Sequence, residues 1–329
     1  EADPRLALQS LMRRSAYVLI PFSIVLVKYF PHLGVDYGRW SGLQMWIGVT
    51  VHKNTLGRLC VISAVFLIWA LLRQWRKTDA QAQRLSLVAD GSVLAIALFL
   101  LKGAENAYSA TSLGTFVVGL LALFLMGLRR RARRIVPLPV VLALFVFFIA
   151  FGAVAPFLGG SNLAGVTSGL GRDETLTGRT ETWAELVPVV KSQPLLGSGF
   201  GSFWTTARRD FYEMSNGHNG YLDILLELGA VGLALFTGWL LACGRKLHAS
   251  LAHDLPWGSL ALCFLLMAVI YNTTESTLGS LAEHMTAVVV FASVVVPHEP
   301  EPAARRSRVD LRMHVPPQRT AAAPAAQPG

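Results

Sequence analysis

Along its length the chain alternates long apolar blocks with short polar breaks, and the blocks are far longer than any buried strand. They occupy residues 16 to 30, 55 to 72, 85 to 101, 107 to 128, 135 to 158, 220 to 244, 255 to 272 and 278 to 296. A helix needs about 20 residues to cross a hydrocarbon layer, and most of these blocks approach that length. The pattern therefore predicts an all-α polytopic membrane protein with about eight transmembrane helices. It divides the chain into membrane helices over 1–158, a long loop with short helices over 159–217, further membrane helices over 218–297 and a tail over 298–329. The tail is rich in Pro, Ala and Arg and lacks apolar periodicity, so it reads as disordered.

Composition agrees, with 53% hydrophobic and only 15% charged residues. The net charge of +9 would suit a nucleic-acid partner, but the placement of the basic residues has a simpler cause. Arg5, Arg13 and Arg14 precede the first span, and Arg73, Arg76, Lys77 and Arg84 lie between the second and third. "RRRARR" at 129–134 follows the fourth, Arg245 and Lys246 follow the sixth, and five arginines lie in the tail. With eight spans all of these fall on one side, which the positive-inside rule makes the cytoplasm, with both termini there and no nucleic acid implied. Cys60, Cys243 and Cys263 sit in apolar runs too far apart for a metal spacing, and they read as core residues.

Chemistry is then expected on the opposite face, in the loops 31–54, near 102–112, 159–217 and around "YNTTESTLGS". Loop 159–217 is too long for a mere connection and short for an independent domain, so it reads as a lid or half-domain against the membrane. Ten basic residues remain for this side or its headgroup layer, among them Lys28, Arg39, Lys53, Arg58, Lys102, Arg179, Arg208 and Arg209. Guanidinium groups match phosphoryl oxygens, and lipid headgroups attract the same residues. Trp183, Leu186, Val187 and Val190 recur at helical spacing over Thr180–Ser192, which puts Arg179 at or just before a helix start. Pro194 ends that helix, and "GSGFGS" then reads as a sharp turn allowing close backbone packing, since no Walker lysine follows it. No Asp-x-Asp pair occurs, and the acidic residues do not cluster with His at metal spacing. No metal or other cofactor is expected, and a metal-dependent sugar-nucleotide transferase is disfavoured.

The segment "SNGHNGYLDILLELGAVG" sets His218 between two glycines, Gly217 and Gly220, and runs into an apolar helix carrying Asp223 and Glu227. At 1.5 Å per residue these acids lie roughly 7.5 Å and 13.5 Å along the helix from His218, beyond easy contact. Both are costly near a span unless paired or wetted. Glu227 reads as pairing with a basic group, and Asp223 stays open between ligand contact and rim solvation. Tyr221 and Trp183 can stack on sugar faces, although interfacial aromatics need no such role. His284 and Glu283 open the last span beside "TTEST".

"HKNTLG" after a Gly-Arg-Trp segment, "AYSATSL", "GRTETW", "PLLGSGFGSF" and "HNGYLDILLELGAVG" occur in that order. From about Gly38 to Leu235 the chain resembles the O-antigen ligase and O-antigen polymerase superfamily, in particular its exopolysaccharide (succinoglycan-type) polymerase members. The resemblance implies a glycosyltransferase of the bacterial inner membrane, active on the periplasmic face, whose donor is a glycan on a polyprenyl pyrophosphate. The acceptor would be another glycan or a lipid-linked molecule, with membrane lipids and other polysaccharide assembly proteins as further partners. It implies His218 as the general base for the acceptor hydroxyl and Arg179 as a cation for the pyrophosphate, with Arg39 and Lys53 read as the second and third cations. Asn219, Trp183 and Tyr221 would touch substrate, with Glu227 and Asp223 in support. Members have more than eight spans, and the chain opens on Glu1, so it reads as the later part of a longer protein. Two other classes stay open: a transporter or flippase for lipid-linked or anionic glycans, and a non-catalytic scaffold of an assembly complex.

Overall fold

The structure, a computed structural model, describes residues 3–38, 42–74, 82–104, 107–131, 136–158, 174–278 and 283–294. Each apolar block carries a helix: α1 (Pro4–Tyr29), α3 (Lys53–Gln74), α4 (Ala82–Lys102), α5 (Ala110–Arg131), α6 (Leu138–Val154), α9 (Gly220–His253), α10 (Leu255–Tyr271) and α11 (His284–Val294). The single turn α2 (Pro31–Gly34) and the helices α7 (Glu174–Ser192) and α8 (Thr206–Tyr212) lie in the connections. Among the described residues six helices are long and apolar enough to cross a membrane, and α10 and α11 are apolar but shorter. The chain is an all-α polytopic membrane protein, and its only described sheet is a two-stranded antiparallel hairpin, β1 (Val35–Tyr37) with β2 (Gln44–Trp46).

Burial separates inner from outer helices. In α3, 78% of the apolar window is buried, against 22–28% in the other five long helices. Helix α10 is likewise buried almost all round, which is the mark of a helix enclosed by protein rather than by lipid. Around this pair the outer helices turn one stripe inward: in α1 the buried positions Leu8, Met12, Ala16, Ile20 and Ser23 follow helical spacing, while Leu11, Val18 and Phe22 stay exposed. Such an apolar outer surface suits hydrocarbon. At the end of the bundle far from His218, the fully buried carboxylate of Asp90 in α4 pairs with Arg13 at 3.2 Å and accepts from the Tyr17 hydroxyl at 2.6 Å, tying α4 to α1.

Helix α9 is broken rather than straight. Gly229 has φ 61° and ψ −161°, and the rings of Tyr221 and Phe236 on either side of it lie 6.3 Å apart. A continuous helix would separate these residues by about 22 Å, so the chain folds back at Gly229. The break frees backbone groups, and the "PLLGSG" turn satisfies them. Ser198 and Gly199 N–H groups donate to the Leu226 and Glu227 carbonyls at 3.0 and 2.7 Å, and the Ala230 and Val231 N–H groups donate to the Pro194 and Leu195 carbonyls at 2.8 and 3.1 Å. A Cβ on Gly229 would stand 2.3 Å from the Leu195 carbonyl carbon, so glycine is needed for both conformation and space. Trp183, Leu186 and Val190 of α7 pack with Phe203, Trp204, Leu222, Leu225 and Leu226 into a second core beside this reversal.

Candidate active site

His218 sits in the turn that precedes α9, with φ 49°, a left-handed conformation that costs a non-glycine residue about 1 kcal/mol. The turn is held from several sides. The Asn216 side chain accepts from the His218 N–H at 2.9 Å, and the buried Asn219 caps α9 by accepting from the Tyr221 and Leu222 N–H groups at 3.0 and 3.1 Å. Asn219 also donates to the Gly152 carbonyl at 2.8 Å, which fastens the turn to the end of α6. Asp223 accepts from the Gly217 N–H at 3.0 Å, from the Trp204 indole at 2.9 Å and from the Ser276 hydroxyl. The Trp183 indole donates to the Gly217 carbonyl at 2.8 Å. Strain at His218 is therefore stored locally and held in place by the surrounding bonds.

The imidazole faces the segment between α10 and α11. Its Nδ1 lies 3.3 Å from Oε2 of Glu275. The other carboxylate oxygen of Glu275 accepts from Arg179 Nη2 at 2.5 Å and from Asn54 Nδ2 at 2.6 Å. Arg179 Nη1 donates to the Thr274 carbonyl at 2.7 Å. One buried carboxylate is thus shared by an imidazole, a guanidinium and an amide from three separate parts of the chain. Burial alone would push the Glu275 carboxyl up, but the His218 hydrogen bond and the Arg179 charge hold it below the usual carboxylate range. His52 lies beside the cluster, its Nδ1 accepting from the Asn54 N–H at 3.2 Å. Burial pushes its imidazole below the ordinary value, with Glu275 opposing and His218, Lys53 and Arg179 adding to the effect.

The first turns of α3 are fixed by a hydroxyl network. The Tyr271 hydroxyl donates to the Asn54 carbonyl at 2.7 Å and lies 3.0 Å from the Ser112 hydroxyl, itself 2.8 Å from that of Ser109. The serines of "AYSATSL" therefore brace the element that delivers Asn54. One turn further along α3, the buried Arg58 pairs with Glu283 and lies over the Tyr271 ring at 5.9 Å. A cleft of about 620 Å³ is lined by Trp46, Leu98, Leu101, Lys102, Tyr108 and Phe116. A narrow neighbouring cavity is lined by Lys53 and Ser109.

The residues expected from the sequence have separate placements. His218 and Arg179 are brought to one carboxylate, and Lys53 opens α3 next to His52 and Asn54. Arg39 lies outside the described residues. Trp183 and Tyr221 are buried, the latter donating its hydroxyl to the Val269 carbonyl at 2.8 Å. The Glu227 carboxylate accepts from the Gly201 N–H at 3.1 Å, and among the described residues no ion pair of Glu227 is found, in contrast to the expected basic partner. Nor is Arg179 at a helix start. Helix α7 begins at Glu174 and continues through Gly178, so Arg179 gains nothing from free N–H groups there. Glu275 and Asn54 were not singled out by sequence; an acid amid small polar residues between two apolar blocks was the only signal. Among the described residues no group of three or more His, Cys, Asp or Glu stands in an arrangement to hold a metal.

Two comparisons bear on this geometry. The chain is 26% identical over 253 residues to the exopolysaccharide production protein ExoQ of Rhizobium meliloti (strain 1021), covering 71% of this chain and 52% of that protein. It spans about half the length of that relative. Residues 106–237, from the approach to α5 through the reversal of α9, match the O-antigen ligase family and include both Arg179 and His218. The resemblance to the O-antigen ligase and polymerase superfamily read from the motifs is thereby borne out.

Proposed function

We propose that the protein is a membrane glycosyltransferase of polysaccharide biosynthesis that joins a glycan carried on polyprenyl pyrophosphate to a glycan or lipid-linked acceptor. What carries the reading is the shared Glu275 carboxylate, with His218 on one oxygen and Arg179 on the other. With Nδ1–H donating to Glu275, the His218 Nε2 keeps its lone pair and can take a proton, the arrangement in which a carboxylate orients a histidine base. In the proposed step Nε2 removes the proton of an acceptor hydroxyl while its oxygen attacks the anomeric carbon of the donor sugar. The bond from that carbon to the pyrophosphate breaks, and its electron pair leaves on the phosphate oxygen. Arg179, with Lys53 and Arg39 as further cations, stabilises the charge that develops there. Asp223, Asn219 and Trp183 act by positioning the His218 turn.

The match to a relative named for exopolysaccharide production favours repeated transfer to a second lipid-linked glycan. The alternation of basic loops supports a site end facing the periplasm and basic ends facing the cytoplasm of a bacterial inner membrane. Reconstitution of the protein in liposomes with a defined polyprenyl-pyrophosphate oligosaccharide tests the reading. New glycosidic bonds, seen as a product ladder, are expected. Glycan movement across the bilayer without bond formation means a transporter, and neither outcome means a scaffold.

A further inference from the structure

Glu275 has two partners that the proposed reaction asks to do different things. Arg179 is to bind an anion, yet its Nη2 already rests on Glu275 Oε1 at 2.5 Å. His218 is to accept a proton, and its Nδ1 faces Oε2 of the same group at 3.3 Å. Asn54 donates to Oε1 beside Arg179 at 2.6 Å, so that oxygen carries two donors and the other carries the imidazole. The side chain is only 12% exposed, so solvent screens these interactions little. A charge attracted to Arg179 must therefore compete with Glu275, and what Arg179 gives up becomes available to His218.

We propose that Glu275 couples donor binding to activation of the base: it is the shared counter-ion of Arg179 and His218, and an anion taken by Arg179 transfers the hold of the carboxylate to the imidazole. The proposal rests on the reading that Arg179 binds the pyrophosphate of the donor. It gives the site an order. With Arg179 engaged by Glu275, the carboxylate is divided and the base is weak. With a pyrophosphate on Arg179, the undivided carboxylate favours a positively charged imidazole, so the acceptor hydroxyl is deprotonated when a donor is in place.

The coupling has a consequence opposite to that of ordinary damage. Binding of sugar-free polyprenyl pyrophosphate, which supports no transfer, is measured on the purified protein in nanodiscs. Glu275→Gln keeps an acceptor for Arg179 and removes the competing charge, so binding tightens on the order of tenfold. The gain disappears in an Arg179→Ala background. Asn54→Ala acts in the other direction, because Oε1 then relies on Arg179 alone. It weakens binding by about threefold, and this loss too is absent when Arg179 is Ala. Should Glu275→Gln not fold, the Asn54→Ala cycle decides. Unchanged or weaker binding in folded Glu275→Gln overturns the coupling while leaving the base reading intact. A wild-type protein that binds no polyprenyl pyrophosphate overturns both the coupling and the donor-binding reading on which it rests.

Discussion

His218 and Glu275, 57 residues apart in sequence, meet at 3.3 Å because two backbone turns converge: the strained turn before α9 and the segment between α10 and α11. A donor–acceptor pair in which the carboxylate is buried and the imidazole partly exposed fixes which imidazole nitrogen is free. Glu275→Gln presents an amide where the carboxylate oxygen stood, and an amide N–H facing Nδ1 moves the ring proton to Nε2. Turnover should fall by about two to four orders of magnitude, the range ascribed to a positioned base. The check is steady-state transfer in proteoliposomes, with native-like unfolding of the variant confirmed in parallel.

Backbone strain at His218 can be separated from its chemistry. His218→Ala and His218→Gly both remove the imidazole and its bond to Glu275, and in the folded state they differ in tolerance of φ 49°. The glycine variant should therefore be more stable by about 1 kcal/mol, read as a higher midpoint of thermal unfolding in the same detergent. Equal midpoints would mean the turn relaxes freely.

The reversal of α9 should be intolerant of a single methyl group. Gly229→Ala adds a Cβ 2.3 Å from the Leu195 carbonyl carbon at a residue with φ 61°. A loss of at least about 2 kcal/mol is expected, since neither backbone can yield without giving up its hydrogen bonds to the other. Denaturant or thermal unfolding measures it, and Gly238→Ala, with open space around its Cβ, is the control.

Acid should destabilise the site end of the bundle. His52 has its imidazole held below its ordinary 6.5, so the folded chain takes up that proton less readily than the unfolded chain. Its contribution is complete above 6.5 and is lost as pH falls from there through the folded value. Glu275, held below its ordinary 4.5, contributes stability above that value and loses it as pH falls through its own depressed one. Both terms have the same sign. Midpoints of unfolding measured across this range should fall with acidification, and Glu275→Gln should flatten the lower part of the curve.

The spans and the chemistry were legible in the sequence to different depths. Each of the eight apolar blocks carries a described helix because lipid demands long runs, though among the described residues only six are long enough to span and burial inside the bundle, as in α10, goes with a shorter helix. Motifs led to His218 and Arg179 because both lie within the segment matched by the family. Glu275 lies beyond that segment, on a stretch of small polar residues, and its importance comes from contacts spanning 57, 96 and 221 positions. No periodicity encodes such distances. Asp223 was ambiguous for a related reason: its three donors come from Gly217, Trp204 and Ser276, of which only the first is a near neighbour in sequence. The fold-back at Gly229 was hidden because an apolar helix and an apolar helical hairpin have the same composition.

Transfer rates of His218→Ala, Glu275→Gln and the double variant, measured with one defined polyprenyl-pyrophosphate oligosaccharide, bear on the whole mechanism at once. If the imidazole and the carboxylate act as a unit, His218→Ala abolishes the ladder and the double variant is no slower than the single. Near-normal turnover of a folded His218→Ala protein would contradict it.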